Sequence, residues 1–199
     1  MAISNGLKNQ IKNRNFLSPV GFKFILNRSP KISFFSNQAV IPGLTLGTAV
    51  QPNYLKNVDL PGDKIEFNDF SLRFLVDEDL SNYMEVQNWI RGIGFPESLE
   101  EIYKFQRSNT NRDPGNKELD LFSDGTLTVL TSTQNPNFKV KFDGMFPISI
   151  SDLTFDATDT DIDYLTAEVN FKYTIYKIVD INGDALWVLI LKNFKRCGK

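Results

Sequence analysis

The sequence predicts a mainly β, antiparallel domain with a single inserted helix. Three observations point there. Alternating apolar and polar residues recur along the chain, only one long segment has helical periodicity, and the 199 residues include seventeen Phe. Aromatic side chains are favoured on the half-buried faces of sheets, and the chain is long enough for one domain with a real core.

The first expected strands are residues 21–26 and 31–40, which the polar turn 27–30 would join as a hairpin. A Pro-Gly turn at 41–44 ends it. Residues 45–61 alternate weakly and contain two Pro, so we expect a protruding loop or a loose hairpin there. A long loop in a compact domain is often functional.

The stretch from residue 61 to 80 changes phase in its middle. Ile65 and Phe67 set one alternation, and Phe70 and Leu72 set the other. Because one extra residue turns every later side chain to the opposite face, a β-bulge is predicted at Asn68-Asp69. Such a bulge would let the strand curve as a barrel requires.

A helix is predicted over residues 80–91, where apolar side chains recur three and four apart. Asp77 and Asp79 are its expected N-cap residues, and Gly92 and Gly94 end it. A second short helix is expected at 96–105, followed by a polar loop at 107–117.

Later strands are predicted at 126–131, 138–146 and 166–176, the last with the clearest alternation. Asn182-Gly183 stands between two apolar runs and predicts a hairpin turn. The expected organisation is an N-terminal arm at 1–20, a β domain at 21–178 and a C-terminal hairpin extension at 179–199.

Composition limits the chemistry. The chain has no His and a single cysteine, Cys197, which excludes His-dependent nucleophile pairs and Cys-cluster metal sites. We therefore expect no catalytic site, metal or cofactor. The N-terminus lacks a signal-peptide core, and the longest apolar run, 185–191, is too short to span a bilayer. The expectation is a soluble protein that stays inside the cell that makes it.

One acidic segment resembles a metal loop without completing it. Asp159, Asp161 and Asp163 fit the first three ligand positions of a calcium loop, but Tyr164 and Asn170 replace the required Gly and Glu. A solvated turn is favoured, and an irregular calcium site stays open. From 151 to 168 there are six acids and no Lys or Arg, a field that repels phosphates or attracts a basic surface.

Charge is divided along the chain. Residues 1–60 hold seven Lys/Arg and one acid, whereas residues 61–199 hold fifteen Lys/Arg and twenty-three acids. Complementary halves can drive head-to-tail self-association. Ordinary uneven charge on a monomer explains the same counts.

Several segments between residues 22 and 176 resemble the tail tube protein of contractile-tailed, T4-like bacteriophages. They are FKFIL, QAVIPGL, NVDLPGDKIEFNDFSLRFLVDEDLSNYMEVQNWI and FDGMFPISISDLTFDATDTDIDYLTAEVNFKYTIY. The most specific elements are the Pro42-Gly43 turn, Gly62-Asp63 before the aromatic-rich strand, and Asp77-Glu78 before a Trp-containing helix. Residues 177–199 extend past the usual end of that family.

The resemblance implies an antiparallel β-barrel or sandwich-like tail-tube fold with one flanking helix. It implies hexameric rings that stack into a tube inside a contractile sheath, forming a DNA conduit without enzymatic activity. Implied partners are other copies, the sheath protein, baseplate hub and tube-initiator proteins, the tape measure protein and genomic DNA, with no membrane. The implied location is the virion tail, assembled in the cytoplasm of the host bacterium.

Two sets of residues follow from the resemblance. Residues 45–63 would stack one ring on the next, with the basic arm as a second contact, and the acidic surplus would suit a lumen through which DNA passes. The stacking residues would be Thr45, Val50, Tyr54, Leu55, Asp59, Gly62 and Asp63. Asp156, Asp159, Asp161 and Asp163 would form an acidic surface, and the sequence leaves open whether it faces the lumen.

Three other functions remain open from the sequence. A tube-initiating baseplate protein would share the fold. A monomeric β-barrel could bind a small ligand or carbohydrate, and a carboxylate-based hydrolase would need two acids in a deep cleft.

Overall fold

The computed structural model describes residues 16–29, 32, 35–94, 96–98, 100, 121–156 and 164–185. The mainly β architecture with one flanking helix is confirmed. In chain order the elements are β1 Phe22–Leu26, β2 Ser36–Ala39, β3 Leu44–Gln51, β4 Val58–Phe67, β5 Phe70–Leu75, α1 Ser81–Gly94, β6 Ser123–Leu130, β7 Pro136–Ile150, β8 Thr166–Lys172 and β9 Ile175–Asp180.

Seven strands form one antiparallel sheet and two form another. The large sheet has the order β1-β6-β7-β8-β5-β2, with β9 also paired to β7, and among the described strands β3 pairs only with β4. The predicted hairpin of the first two strands is therefore wrong: β1 pairs with β6 and β2 with β5. Alternation identifies a strand but not its partner, and these two strands lie at opposite ends of the sheet order.

The large sheet curls around an aromatic core. Phe24 on β1 lies 5.2 Å from Phe70 on β5, ring centroid to ring centroid, and Phe70 lies 4.6 Å from Phe142 on β7. Strands that are far apart in the sheet order thus meet across its interior, as in a barrel. The largest wholly buried side chains are Trp89, Phe24, Phe70, Phe74, Phe142 and Phe171.

β7 turns a corner at Gly144. Up to Asp143 it pairs with β9, and from Phe146 onward it pairs with β8. Gly144 has a φ of 66°, and a Cβ there would lie 2.8 Å from the Thr174 hydroxyl oxygen. The predicted single strand 166–176 is accordingly divided at Tyr173 and Thr174, because its partner strand bends there.

The helix α1 covers one end of the core. Val86 and Trp89 are buried, and the Trp89 indole N–H donates to the Leu121 carbonyl at 3.0 Å. The Arg28 guanidinium carbon lies 5.1 Å from the centre of the same indole ring, a cation–π distance. Through Trp89, α1 contacts one residue that precedes it in the chain and one that follows it.

The N-cap prediction is wrong in position. The first helical hydrogen bond runs from the Met84 N–H to the Leu80 carbonyl, so Leu80 occupies the cap, with a φ of 54°. Asp77 lies earlier and accepts a hydrogen bond from the Ser81 hydroxyl at 3.1 Å. The buried Asn82 amide donates to the Leu75 carbonyl at 2.8 Å, which ties α1 to the end of β5.

The C-terminal turn forms as predicted for its described part. The Gly183 N–H donates to the Asp180 carbonyl at 2.9 Å, and Val179 and Ala185 form a β-bridge. The rest of that hairpin, the arm before residue 16, the loop 107–117 and all but four residues of the expected helix 96–105 lie outside the described residues. The boundaries of the arm, the β domain and the extension stay predictions.

Candidate assembly surface

The most exposed regular structure is the hairpin of β3 and β4. It forms a two-stranded sheet of its own, and all eight residues of β3 are exposed. β4 is exposed at every position except Gly62 and Phe67. The expected protruding loop or loose hairpin at 45–61 is therefore a long, well-formed hairpin.

The phase change at residues 68–69 marks a change of sheet. β4 ends at Phe67 in the two-stranded sheet, and β5 begins at Phe70 in the large one. The predicted β-bulge at Asn68-Asp69 is therefore wrong, because those residues connect two strands rather than interrupting one. Each strand keeps the alternation that its own sheet requires.

The exposed surface of the hairpin is rich in apolar side chains. At its turn, Tyr54 is 98% exposed and Leu55 is 91% exposed. Burial of such side chains is worth about 1.5–3 kcal/mol each, so leaving them in water forgoes a large stabilisation. The exposed apolar residues of the two strands are Leu44, Leu46, Val50, Val58, Leu60 and Ile65.

The hairpin requires glycine at position 62. The register skips between Leu46 and Thr48, which face Ile65 and Pro61 respectively. At this irregularity a Cβ on Gly62 would lie 2.6 Å from the Gly47 carbonyl oxygen. Only glycine lets the two backbones approach so closely. This contact explains why position 62 is glycine, which the sequence alone does not explain.

Two tyrosines hold the base of the hairpin against the large sheet. The Phe67 ring lies 6.1 Å from Tyr173 and 5.8 Å from Tyr176. The Tyr173 hydroxyl donates to the Asn68 carbonyl at 2.7 Å, and the Tyr176 hydroxyl donates to the Pro42 carbonyl at 3.3 Å. Burial, followed by the neighbouring Tyr176 and Asp69, raises the pKa of Tyr173 to about 12.

Sequence reasoning missed this pair of tyrosines, because Tyr173 and Tyr176 were expected to belong to one long strand. The signal was available in part. Two phenols close together at the end of the clearest alternation are a reason to look for buried hydrogen-bond partners. What the sequence lacks is the partner, since Asn68 stands 105 residues away.

All predicted stacking residues fall on the hairpin. Val50 faces Asp59 across the two strands, and Thr45 faces Glu66. Tyr54 and Leu55 occupy the turn. Gly62 and Asp63 lie on β4. The structure therefore brings the seven residues together, and their role in stacking stays a prediction.

The predicted acidic surface can be located at one residue only. Asp156 is exposed and follows β7. Asp159, Asp161 and Asp163, and with them the incomplete calcium loop, lie outside the described residues. Among the described residues no group of three or more acidic, Cys or His side chains could hold a metal ion. In the same part of the chain, no helix has the length and apolar character that crossing a bilayer requires.

Comparison with known proteins gives a consistent picture. A family model described as phage tail tube protein matches residues 5–179, so residues 180–199 fall beyond it. No curated protein sequence matches the chain.

Solved structures share the fold at low sequence identity. A chain of the cryo-EM structure of the anti-feeding prophage tube-terminating cap is 11% identical, with a TM-score of 0.54 over 89% of this chain and 99% of that one. A chain of the anti-feeding prophage baseplate is 12% identical, with a TM-score of 0.52 over 80% and 91%. A chain of the PVC sheath–tube complex, from an extracellular contractile injection system in its extended state, is 15% identical, with a TM-score of 0.50 over 84% and 94%. At these identities the likeness establishes the fold alone.

Proposed function

This chain belongs to the phage tail tube protein family, and from that premise we propose that its copies form hexameric rings that stack into the inner tube of a contractile tail. The observation that carries the proposal is the β3–β4 hairpin. An extended element with exposed apolar side chains and no covering layer is what an assembly contact between identical subunits requires.

Unpaired strand edges support the same proposal. Within the described residues, the outer edges of β3 and β4 have no strand beside them. Such edges present rows of free N–H and C=O groups that another strand can pair with. In a tube, the neighbouring copies supply the missing partners and cover the apolar side chains in the same step.

The tube serves as a conduit through which the genome leaves the virion. The acidic surplus of residues 61–199 suits a lumen that DNA must pass without binding, because Lys and Arg would hold its phosphates. We place Asp156 and the three aspartates at 159, 161 and 163 on that lumen. The subunit has no catalytic role in this proposal.

The partners follow from the position of a tube in a tail. They are further copies of this chain, the surrounding sheath protein, baseplate hub and tube-initiator proteins, the tape measure protein and the genomic DNA. Assembly takes place in the cytoplasm of the host bacterium. The second candidate is a tube-initiating baseplate protein, since a chain of the anti-feeding prophage baseplate shares this fold.

Deleting residues 45–63 tests the proposal. The deletion joins Leu44 to Lys64 and leaves three residues before Phe67, which is the partner of Leu44 in the hairpin. We expect a cooperatively folding subunit, by circular dichroism and thermal unfolding, that forms no long tubes in negative-stain micrographs. The full-length chain is the control.

Two results would contradict this. Normal tubes from the deletion would show that the hairpin does not stack subunits. A full-length chain that stays monomeric at high concentration in several salts, by size-exclusion chromatography, would remove the tube itself. If this chain formed rings but no tubes by itself, and a separate tube subunit polymerised on those rings, the tube-initiating role would be favoured.

A further inference from the structure

A cavity of about 710 Å³ opens beyond the end of β5. Its lining is mainly apolar, and the acidic residues Asp77 and Glu78 belong to it as well. This volume is within the range of sites that bind a few large side chains or a small ligand. The apolar lining residues that matter below are Leu75, Val76, Phe155, Tyr164 and Leu165.

Two of the aromatic residues at the cavity are strongly exposed. Phe155 is 75% exposed and Tyr164 is 83% exposed. Phe155 follows β7 and Tyr164 precedes β8, so both belong to the sheet end that holds the last residue of β5. Leu75 pairs there with Thr166. Exposed aromatic side chains around an apolar hollow are typical of a docking site.

The hairpin and the cavity lie at opposite ends of β5. The chain enters β5 from the hairpin at Phe70, which pairs with Phe171, and leaves it at Leu75. The ten residues of β4 separate the hairpin turn from the connection that leads to Phe70. The base of the hairpin is thus joined to the end of β5 opposite the cavity.

The hairpin turn has the chemistry that the cavity accepts. Tyr54 and Leu55 are almost fully exposed, and the Tyr54 N–H donates to the Asn53 side-chain oxygen at 2.7 Å, which shapes the turn. Lys56 follows directly and brings a positive charge. Apolar side chains next to a cation complement an apolar hollow that carries two carboxylates.

We propose that Tyr54 and Leu55 of each copy insert into the β5-end cavity of a neighbouring copy, with Lys56 facing Asp77 and Glu78. This inference rests on the proposed tube and names the receiving site for its hairpin. Because the inserting and receiving surfaces differ, the contact is head-to-tail, and between copies in successive rings it can repeat along the tube. These three charged side chains select the register in which the turn enters.

Cysteine cross-linking tests the contact. In a Cys197→Ser background, Leu55→Cys and Phe155→Cys are combined in one chain and oxidised during assembly. A disulfide requires the two Cα atoms to come within about 7 Å. We expect a ladder of covalent dimers, trimers and longer species on a non-reducing gel.

The matched control combines Leu55→Cys with Ile181→Cys, since Ile181 is an exposed apolar residue of the turn after β9. This pair should give no ladder. Tubes that form without any ladder from the Leu55–Phe155 pair overturn the cavity assignment and leave the tube proposal intact. Absence of tubes from the Cys197→Ser parent would count against the tube instead.

A third cysteine pair tests whether the N-terminal arm, rather than the hairpin turn, occupies the cavity. Leu7→Cys with Phe155→Cys places the thiol on the basic N-terminal arm. A ladder from this pair and not from the Leu55 pair would assign the cavity to the arm and overturn the present inference.

Charge reversal gives an independent measurement. Lys56→Glu and Glu78→Lys should each raise the critical concentration for tube assembly about tenfold, by placing like charges together. Combining them should restore most of the loss, because the pair is re-formed with opposite polarity. Additive defects in the double variant would show that the two residues do not meet.

Discussion

The curled sheet and the β3–β4 hairpin are both antiparallel and both rich in apolar side chains, yet the sheet buries these side chains and the hairpin exposes them. In the sheet, Phe70 and Phe142 are wholly buried, whereas in the hairpin Leu46 and Ile65 are about half exposed. A two-stranded sheet has no second layer to cover it and is marginally stable alone. The difference indicates that the sheet covers its own apolar side chains, whereas the hairpin depends on other copies to cover them.

The boundary between the two regions is narrow. Phe67 still belongs to the hairpin, and Phe70 already lies in the core. The Tyr173 hydroxyl bonds to the Asn68 carbonyl between them, and the Lys172 ammonium lies 2.6 Å from an Asp69 carboxylate oxygen. The connection is therefore held in place, so the hairpin is presented in a defined direction.

The largest difference should come from truncating one side chain in each region. Phe142→Ala should lower the free energy of unfolding by about 3–5 kcal/mol, because it leaves a cavity in the aromatic core. Leu60→Ala, on the hairpin, should change it by less than about 0.5 kcal/mol in the dilute subunit and yet reduce tube formation. Urea denaturation and electron microscopy measure the two effects. Equal destabilisation by both changes would mean that the hairpin is part of the core.

A smaller effect is expected from adding one methyl group to the hairpin. Gly62→Ala places a Cβ 2.6 Å from the Gly47 carbonyl oxygen, so the strands must separate locally. We expect protection of the hairpin amides from hydrogen exchange to fall about tenfold while the sheet amides stay protected. Tube assembly should weaken as well.

The control for this change is Gly94→Ala at the end of α1, where a Cβ would meet no atom of the described residues within 4 Å. It should leave both exchange and assembly unaltered. Unchanged hairpin exchange in Gly62→Ala would show that the close approach of the two strands does not set their register.

The smallest effect should appear at alkaline pH. The pKa of Tyr173 is raised to about 12 from an ordinary value of 10.0, so its stabilising contribution is full below pH 10 and is lost as pH rises through 12. Tyr173→Phe should flatten that part of the stability profile. Below pH 10 it should cost roughly 0.5–1 kcal/mol for the lost hydrogen bond.

Tyr54→Phe is the matched control, because Tyr54 is 98% exposed. It should leave the stability profile of the dilute subunit unchanged at every pH. A Tyr173→Phe profile that still declines in parallel with the wild type between pH 10 and 12 would contradict the assignment.

Local patterns in the sequence predicted the elements well and their partners poorly. The buried positions Ala167, Val169 and Phe171 follow from alternation alone, and the helix follows from its period. The change of phase before Phe70 was visible too. Its meaning was not, because a bulge and a change of sheet produce the same pattern and only the pairing distinguishes them.

The same limit explains the candidate site. Weak alternation and two Pro predicted a protruding loop or a loose hairpin at 45–61, and the β3–β4 hairpin occupies those residues. Three features of the site depend on pairing and packing between separate segments of the chain. They are the tyrosines at the base of the hairpin, the contact of Gly62 with Gly47, and the cavity at the end of β5. Such contacts are fixed by tertiary packing, which no local window contains.

The corner at Gly144 has a mechanical consequence. Since β7 pairs with β9 before the corner and with β8 after it, one unbroken backbone runs through both halves of the sheet. A shear load applied to either half is carried to the other by covalent bonds, while hydrogen-bonded ladders yield one pair at a time. Separating the two halves of the sheet would therefore require the β7 backbone to bend or extend at Gly144.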